Sequence, residues 1–255
     1  MNIEDETVVV ENVTDVHQDV VEEIRPIDLD ISDEILAKNG IEKITKAKVV
    51  VESLLLNNYI YIHSDDRRLM CAKRTMRGFN IYDLRTNEII CKLSANIFGT
   101  KYSVTKLKAK TSENMQEITN RDGMYRSKNN SSSMLINNPN LLNTLPALSV
   151  SYDVKFLKRE TPRSFKIKMG QLGLQNKQPI YNPETNAYSL NFSGRVTVAS
   201  VKNFQIVHPL ELTFITLTFG KEGNESYILD FTHPWNALHA FCVALTALDH
   251  KLGFE

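Results

Sequence analysis

The stretch that decides the fold closes the chain: HPWNALHAFCVALTALDHKLGFE, residues 233–255. Its central run, Ala237 to Leu248, contains only two polar residues, His239 and Thr246. The apolar residues recur at helical spacing and cover about two thirds of the circumference, far more than the single stripe of a surface helix. The sequence therefore predicts a terminal α-helix that is buried on almost every side.

A helix of this kind belongs either in a membrane or inside its own domain. A membrane span needs about 20 predominantly apolar residues, and this run is shorter and is interrupted by a histidine. We therefore expect the helix to be buried in the protein. Pro234 is suited to the first turn of a helix, so we expect the helix to begin there.

The rest of the chain is typical of β-structure. From Lys48 onward, short runs of β-branched and aromatic residues alternate with turn residues. The predicted strands are VVVESLLL, YIYIH, RLMCAK, FNIYDL, EIICKL, TKYSVTK, ALSVSYDVKFL, RSFKIKM, AYSLNFS, NFQIV, LTFITLTF and SYILDF. Closure into a barrel removes the exposed edges of such a sheet. Since strand side chains alone do not fill a barrel this wide, the terminal helix is the expected plug.

The net charge of zero conceals two opposite parts. Residues 1–36 hold twelve acids against one base, Arg25, whereas the remainder holds 29 Lys and Arg against 18 Asp and Glu. We expect an acidic, disordered N-terminal arm, although its mixture of acids and valines is also typical of activation domains. A domain over residues 37–255 follows, with an Asn- and Ser-rich loop or insertion at 107–146. A basic domain predicts a polyanionic partner, and a merely solvated surface is the alternative.

Several function classes find no support in the sequence. The N-terminus lacks the basic and apolar regions of a secretory signal, so we expect an intracellular protein. The cysteines at 71, 91 and 242 lie far apart, which favours buried thiols over a metal site. No nucleophile elbow, Gly-rich phosphate loop or catalytic constellation is present. We expect no cofactor, no metal and no enzymatic activity.

Two segments carry a family resemblance. NAYSLNFSGRVTVASVKNFQIVH (186–208) and ILDFTHPWNALHAFCVALTALDHKLGFE (228–255) resemble the C-terminal signatures of the tubby-like proteins. FGTKYSV, RLMCAKR and PIYNPETNAY are similar to further motifs of that family. The resemblance covers about residues 48–255 without 107–146. It implies a mainly β fold, a closed twelve-stranded antiparallel β-barrel threaded by a central hydrophobic C-terminal α-helix.

The resemblance also implies a binding pocket for phosphatidylinositol 4,5-bisphosphate. Lys92 in CKLSAN matches a lysine of the family pocket, but Ser94 stands where the family has an arginine. Serine offers one neutral hydroxyl in place of a planar, charged fork. Arg163 in TPRSF matches a further arginine, and the family's asparagine falls near Gly78, with Asn80 close but out of register.

Other cations supplement this half-complete pocket. The segment KRTMR supplies Lys73, Arg74 and Arg77, and more bases follow at Lys101, Lys155, Lys158, Arg159, Lys166 and Lys168. Each base near an anionic leaflet contributes about 1 kcal/mol before screening. We therefore expect a monomeric phosphoinositide-binding adaptor, cytoplasmic and peripheral at the plasma membrane, with a protein partner for the arm. The alternative is a nuclear, DNA-associated transcription regulator, although no recognition helix or zinc knuckle is visible.

One more cation lies in the first signature. Alternation in GRVTVAS would place Val196 and Val198 on one face. Arg195 could bind an anion, but the signature marks the core of the family's barrel. We therefore expect it to pair with carboxylates and loop carbonyls around the end of the helix, with Asp249 or Glu255 as the candidate carboxylate.

Overall fold

The computed structural model describes residue 35 and residues 43–106, 145–153, 162–184 and 186–249. These residues form fourteen strands and one long helix. The strands are β1 (Thr45–Ser53), β2 (Asn58–Ile62), β3 (Arg68–Thr75), β4 (Gly78–Asp83), β5 (Ile89–Ala95), β6 (Lys101–Lys106), β7 (Leu148–Tyr152), β8 (Phe165–Met169), β9 (Leu172–Asn176), β10 (Ile180–Asn182), β11 (Ala187–Ser189), β12 (Phe204–His208), β13 (Glu211–Lys221) and β14 (Ser226–Phe231). The helix, α1, is Ala237–Leu248.

Twelve of the strands close into one antiparallel barrel. Their order is β1, β14, β13, β12, β9, β8, β7, β6, β5, β4, β3 and β2, and β2 pairs again with β1. Consecutive hairpins build most of the wall, and the link from β9 to β12 is the one step that skips two strands. The predicted closed, twelve-stranded barrel is confirmed.

The strand count agrees although two individual predictions were wrong. AYSLNFS was predicted as a strand, but only Ala187–Ser189 is extended, and it pairs with β10 in a separate two-stranded sheet. The barrel instead uses β9, LGLQN, which was not predicted. That segment contains no β-branched or aromatic residue, so its propensity is low, and pairing with β8 and β12 determines its conformation.

Alternation along the strands separates an inner from an outer face. In β8, Phe165, Ile167 and Met169 are buried, whereas Lys166 and Lys168 are exposed. Aromatic rings of β7, β8, β12, β13 and β14 line the inner face, with centroids 4.8–5.2 Å apart from one ring to the next. These rings belong to Tyr152, Phe165, Phe204, Phe219 and Tyr227. They form one continuous side of the core against which the helix packs.

All twelve residues of α1 are buried, including His239 and Thr246, which confirms the threaded helix. The start of the helix differs from the prediction. Pro234 lies before the helix, and Asn236 is the N-cap, whose side-chain oxygen accepts a hydrogen bond from the His239 N–H at 2.8 Å. An asparagine cap satisfies one of the amides at the start of a helix, so the chain turns into the barrel at this residue.

The C-terminal end of α1 fixes the orientation of the helix in the barrel. The Tyr59 hydroxyl, at the start of β2, donates to the Leu248 carbonyl at 3.4 Å. The Tyr102 hydroxyl, at the start of β6, donates to Asp249 Oδ2 at 3.0 Å. The helix therefore ends where the β1–β2, β3–β4 and β5–β6 turns lie. We call this the upper end of the barrel.

The first signature packs across the outside of β13 and β14. Arg195 donates from Nε to Asp230 Oδ2 at 2.7 Å and from Nη2 to Oδ1 at 3.0 Å. Val196 lies over Gly220, where an added Cβ would come within 2.3 Å of the valine side chain. The expectation that Arg195 pairs with a carboxylate is confirmed, but the partner is Asp230 of β14 rather than Asp249 or Glu255. The sequence could not identify it because the two residues are brought together only by closure of the barrel.

The remaining predictions concern the cysteines and the ends of the domain. All three cysteines are buried free thiols, as predicted, and contact with Cys91 raises the pKa of Cys242. Ile35 is buried in the core cluster. Except for Ile35 and residues 145–146, the predicted arm (1–36) and loop (107–146) lie outside the described residues. Among the described residues, no helix combines the length and hydropathy needed to cross a membrane.

Candidate anion-binding surface

Two of the predicted ligands lie in one row across β3, β4, β5 and β6. Lys73 is paired with Asn80, Asn80 with Lys92, and Lys92 with Thr105. The flanking residues of β4 and β5 belong to the buried core. Because neighbouring residues of a strand face opposite sides, all four side chains of the row point outward. Lys73 and Lys92 thus lie on either side of Asn80, and the Lys73 ammonium lies 4.8 Å from the centroid of the Tyr82 ring.

The adjacent row contains the other two residues predicted on this surface, Gly78 and Ser94. The register places Thr75 opposite Gly78, Gly78 opposite Ser94, and Ser94 opposite Ser103. Gly78 has φ +123°, and a Cβ there would lie 2.0 Å from the Leu93 carbonyl oxygen. Glycine is therefore required by the backbone at this position. It contributes space beside the exposed Ser94 hydroxyl and offers no side-chain ligand.

The same outer surface continues over β6, β7 and β8. Lys101 is paired with Ser151, Ser151 with Lys166, and Ser149 with Lys168. Together with the first row, five exposed lysines share this side of the barrel, which we call the lysine face: Lys73, Lys92, Lys101, Lys166 and Lys168.

The charges of the lysine face are not compensated within its own strands. Strands β3 to β8 contain one acid, Asp83, which is buried and paired with the core residue Met70. Across the described ranges, none of the five lysines has a carboxylate at ion-pair distance. Lys48 of β1, by contrast, is held 3.1 Å from Glu222. Two acids border the face: Glu52, which accepts a weak hydrogen bond from the Cys71 thiol at 3.6 Å, and Asp153, just after β7, which accepts one from the Ser164 hydroxyl at 2.9 Å. This arrangement favours a bound anion over internal pairing.

Arg74 faces the opposite way from its neighbour Lys73. Its guanidinium lies over the ring of Phe79 at 5.6 Å and its Nη1 lies 2.6 Å from Asp249 Oδ1. This contact lacks hydrogen-bond geometry, so the attraction between the two groups is mainly Coulombic. Asp249 is fully buried, and its other oxygen accepts from Tyr102. The arginine therefore neutralises the carboxylate at the end of α1.

Arg163 also points to the end of the helix. Its Nη1 donates to the Ala247 carbonyl at 3.5 Å. The last carbonyls of a helix have no partner within the helix and carry partial negative charge, so a guanidinium is a favourable neighbour. Burial lowers the pKa of Arg163, and the nearby Tyr152 and Tyr102 act in the opposite direction. The residue that the resemblance assigns to a phosphate thus also contacts the core.

Tyrosines complete the polar cluster around the helix end. The Tyr152 hydroxyl lies 2.8 Å from Thr246 Oγ1, which in turn donates to the Val243 carbonyl at 2.7 Å. Burial raises the pKa of Tyr152 and of Tyr59 to about 12. Burial and the Asp249 carboxylate raise the pKa of Tyr102 as well. These phenols remain neutral donors over the whole physiological range, and the cluster fixes the helix inside the barrel.

The structure therefore divides the seven predicted site residues into separate places. Lys73, Gly78, Lys92 and Ser94 lie together on the outer surface, whereas Arg74 and Arg163 meet the helix end. Arg77 is exposed in the β3–β4 turn at the upper end, and its carbonyl accepts from the Ala95 N–H at 2.7 Å. The predicted cations Lys155, Lys158 and Arg159 lie outside the described residues.

One candidate was undervalued by the sequence reasoning. Asn80 was placed out of register, yet it lies directly between Lys73 and Lys92. Strict alternation in GFNIYD, with Phe79 and Ile81 apolar, already indicates that Asn80 points outward. In the part of the chain that the structure describes, no three His, Cys, Asp or Glu residues are placed to hold a metal.

Residues 169–250 match the model of the Tub family. This segment of the chain is tubby-like. Its matched segment is 50% identical over 82 residues to Tubby-related protein 1 of Mus musculus, 49% to Protein king tubby 2 of Aedes aegypti and 48% to Tubby protein homolog 1 of Caenorhabditis briggsae. This segment is 32% of the chain, and it covers 15%, 20% and 19% of those relatives' lengths.

The match has a definite position in the barrel. It begins at the last residue of β8 and contains the first signature, the second signature as far as residue 250, and the whole of α1. The lysine face, Arg74 and Arg163 all precede the matched segment in the sequence. The matched part therefore accounts for the plug and four of the twelve barrel strands, and the lysine face lies outside it.

Proposed function

We propose that this tubby-like chain is a non-enzymatic module that binds anionic membrane lipids through the lysine face. The main observation in support of this proposal is the row Lys73, Asn80 and Lys92, which faces outward beside the small residues Gly78 and Ser94. Two cations flank a neutral donor there, a combination suited to the phosphates of a phosphoinositide headgroup. Resemblance to the tubby-like proteins, whose pocket takes phosphatidylinositol 4,5-bisphosphate, supports the same ligand class.

The wider lysine face would supply general attraction. Each lysine near an anionic leaflet contributes about 1 kcal/mol, and this contribution decreases as salt screens the charges. Lys101, Lys166 and Lys168 extend the positive surface without forming part of the Asn80 row. We assign headgroup selectivity to the row and salt-dependent adhesion to the other lysines. Arg74 and Arg163 are assigned to holding the helix.

As a membrane adaptor, the protein would act at the cytoplasmic surface of the plasma membrane as a monomer. The acidic segment 1–36 would then contact a protein partner. The charge asymmetry of the sequence supports separate partners for the two parts, since residues 1–36 are acidic and the remainder of the chain is basic.

The test is binding to vesicles of phosphatidylcholine with and without phosphatidylinositol 4,5-bisphosphate, and to the soluble headgroup. Lys92→Ala should weaken binding to both the vesicles and the free headgroup. Lys46→Ala is the matched control. Lys46 is an exposed lysine near the start of β1, at the end of the barrel opposite to the upper end. Equal affinities of Lys92→Ala and Lys46→Ala would contradict the proposed site.

The same lysines would also attract the phosphates of DNA, which is the alternative function. The one long helix in the described ranges is completely buried, so it is not free to enter a groove. Nucleic-acid binding would therefore rest on phosphate contacts, with a steep salt dependence and no headgroup preference. Tight DNA binding together with indifference to the soluble headgroup would favour the nuclear, transcriptional role.

A further inference from the structure

Three consecutive hairpins at the upper end present apolar side chains to solvent. Leu55, in the β1–β2 turn, is 96% exposed, and Met76, in the β3–β4 turn, is 99% exposed. Ile97 and Phe98, in the β5–β6 turn, are 77% and 61% exposed. Leu54 and Leu56 beside Leu55 are also exposed. Large apolar side chains grouped on one rim often mark an interaction surface.

The barrel topology places these tips side by side. Strands β1 to β6 are neighbours in antiparallel order, so their three hairpin turns lie at the same end. Successive tips are separated by two strand spacings, about 10 Å. The turns are also tied to the wall, since the Ala95 N–H donates to the Arg77 carbonyl at 2.7 Å and the Arg74 N–H donates to Asn58 Oδ1 at 3.4 Å.

The surrounding charges identify the kind of partner. Lys73, Lys92 and Lys101 extend from the outer faces of the same strands that carry the tips, and Arg77 is adjacent to Met76. Apolar groups beside cations match the acyl region and the anionic headgroups of a bilayer. On the same rim, the β13–β14 turn contains Glu222 and exposed Glu225, which limits the surface on that side.

We propose that the tips at Leu54–Leu56, Met76 and Ile97–Phe98 insert into an anionic bilayer while the adjacent lysine face holds its headgroups. This inference rests on the proposed lipid-binding function and adds a hydrophobic anchor to it. The barrel would meet the membrane tilted, with its upper end and lysine face together. Adhesion would then persist at salt concentrations that weaken lysine contacts alone.

The first experiment separates insertion from headgroup binding in the full chain. Leu55→Ser and Phe98→Ser should each weaken binding to phosphatidylserine-containing vesicles on the order of tenfold, because apolar area is no longer removed from water. Affinity for the soluble headgroup should remain unchanged. Leu210→Ser is the matched control, since Leu210 is 89% exposed in the β12–β13 turn, at the other end of the barrel and next to Glu211.

The second experiment observes insertion directly. The chain has one tryptophan, Trp235, which is fully buried, so it gives a constant background. The emission of Phe98→Trp should shift to shorter wavelength when phosphatidylserine vesicles are added, and that of Leu210→Trp should not.

Each outcome bears on a different claim. Vesicle binding that depends on Lys92 without an emission shift in Phe98→Trp would overturn insertion and leave the proposed function intact. Absence of any vesicle and headgroup binding would overturn both. A Phe98→Trp emission that is typical of a buried indole before vesicles are added, and does not change with them, would show that another part of the chain covers the tips.

Discussion

Arg74 Nη1 lies 2.6 Å from Asp249 Oδ1 and thereby joins the end of β3 to the end of the central helix. Replacing Arg74 with methionine should destabilise the fold by about 3–5 kcal/mol, because it leaves a buried carboxylate without its countercharge. Urea unfolding measures this loss. Asp249→Asn in the Arg74→Met background should recover much of it.

The same pair of variants separates a structural role of Arg74 from a ligand role. If the arginine only neutralises Asp249, the stability-restored double variant should bind headgroup as the natural chain does. Headgroup binding that stays lost in a fully stable double variant would instead make Arg74 a ligand, as the sequence predicted.

Phe241 tests the threaded helix. Its side chain is fully buried, and its ring centroid lies 5.7 Å from that of Tyr61 on β2. Phe241→Ala should lower the free energy of unfolding by about 3–5 kcal/mol, because a closed wall of strands cannot collapse into the cavity. Phe214→Ala, at a partly exposed position on β13, is the control. A melting temperature equal to that of the natural chain would contradict a central position of the ring.

The strands and the helix could be predicted because the evidence for them is local, and the family resemblance implied their arrangement as a closed barrel. Alternation marks the strands, and a continuously apolar run marks the helix. The face of each side chain was harder to predict. Adjacent residues such as Lys73 and Arg74 must point to opposite sides, but only the position of the helix end shows that Arg74 is the one inside. The site was therefore predicted as one cluster, whereas the barrel wall separates its members.

Pairing between residues far apart in the sequence explains the other differences between the prediction and the structure. Arg195 and Asp230 are 35 residues apart, and nothing in the local sequence connects them. β9 has the composition of a turn and becomes a strand because β8 and β12 offer hydrogen-bonding edges on either side. The apolar tips at Leu55, Met76 and Phe98 were likewise not recognised, because they form a group only when the hairpins are aligned.

Gly220 tests how the first signature attaches to the barrel. A Cβ at this position would lie 2.3 Å from Cγ2 of Val196, so Gly220→Ala should cost about 1–3 kcal/mol of unfolding free energy through overpacking. Adding Val196→Ala should relieve most of the clash, and the two changes should be non-additive in urea unfolding. Gly223→Ala is the control, since no described atom lies within 4 Å of its added Cβ. Strict additivity would exclude the contact.

Alkaline pH should weaken the cluster around the helix end. Burial raises the pKa of Tyr59 and Tyr152 from 10.0 to about 12 in the folded protein. The unfolded chain therefore loses these protons first, so the stabilising contribution is complete below pH 10.0 and is lost as the pH rises to about 12. Tyr152→Phe should reduce the slope of stability against pH in this interval, as measured by urea unfolding. Parallel curves for the two proteins would contradict the assignment.

Ser94 offers the sharpest test of ligand selectivity. The residue is exposed, lies opposite Gly78 and Ser103, and points to the same side as Lys92, two residues earlier on β5. Ser94→Arg should raise affinity for the soluble headgroup of phosphatidylinositol 4,5-bisphosphate by about 1.5–3 kcal/mol, because a guanidinium can bind two phosphate oxygens together. Ser103→Arg adds the same charge one strand away. It should strengthen binding to all anionic vesicles without creating headgroup preference. If both variants gain equally for every anionic lipid, the surface acts through charge alone, and the row of Lys73, Asn80 and Lys92 is not a specific pocket.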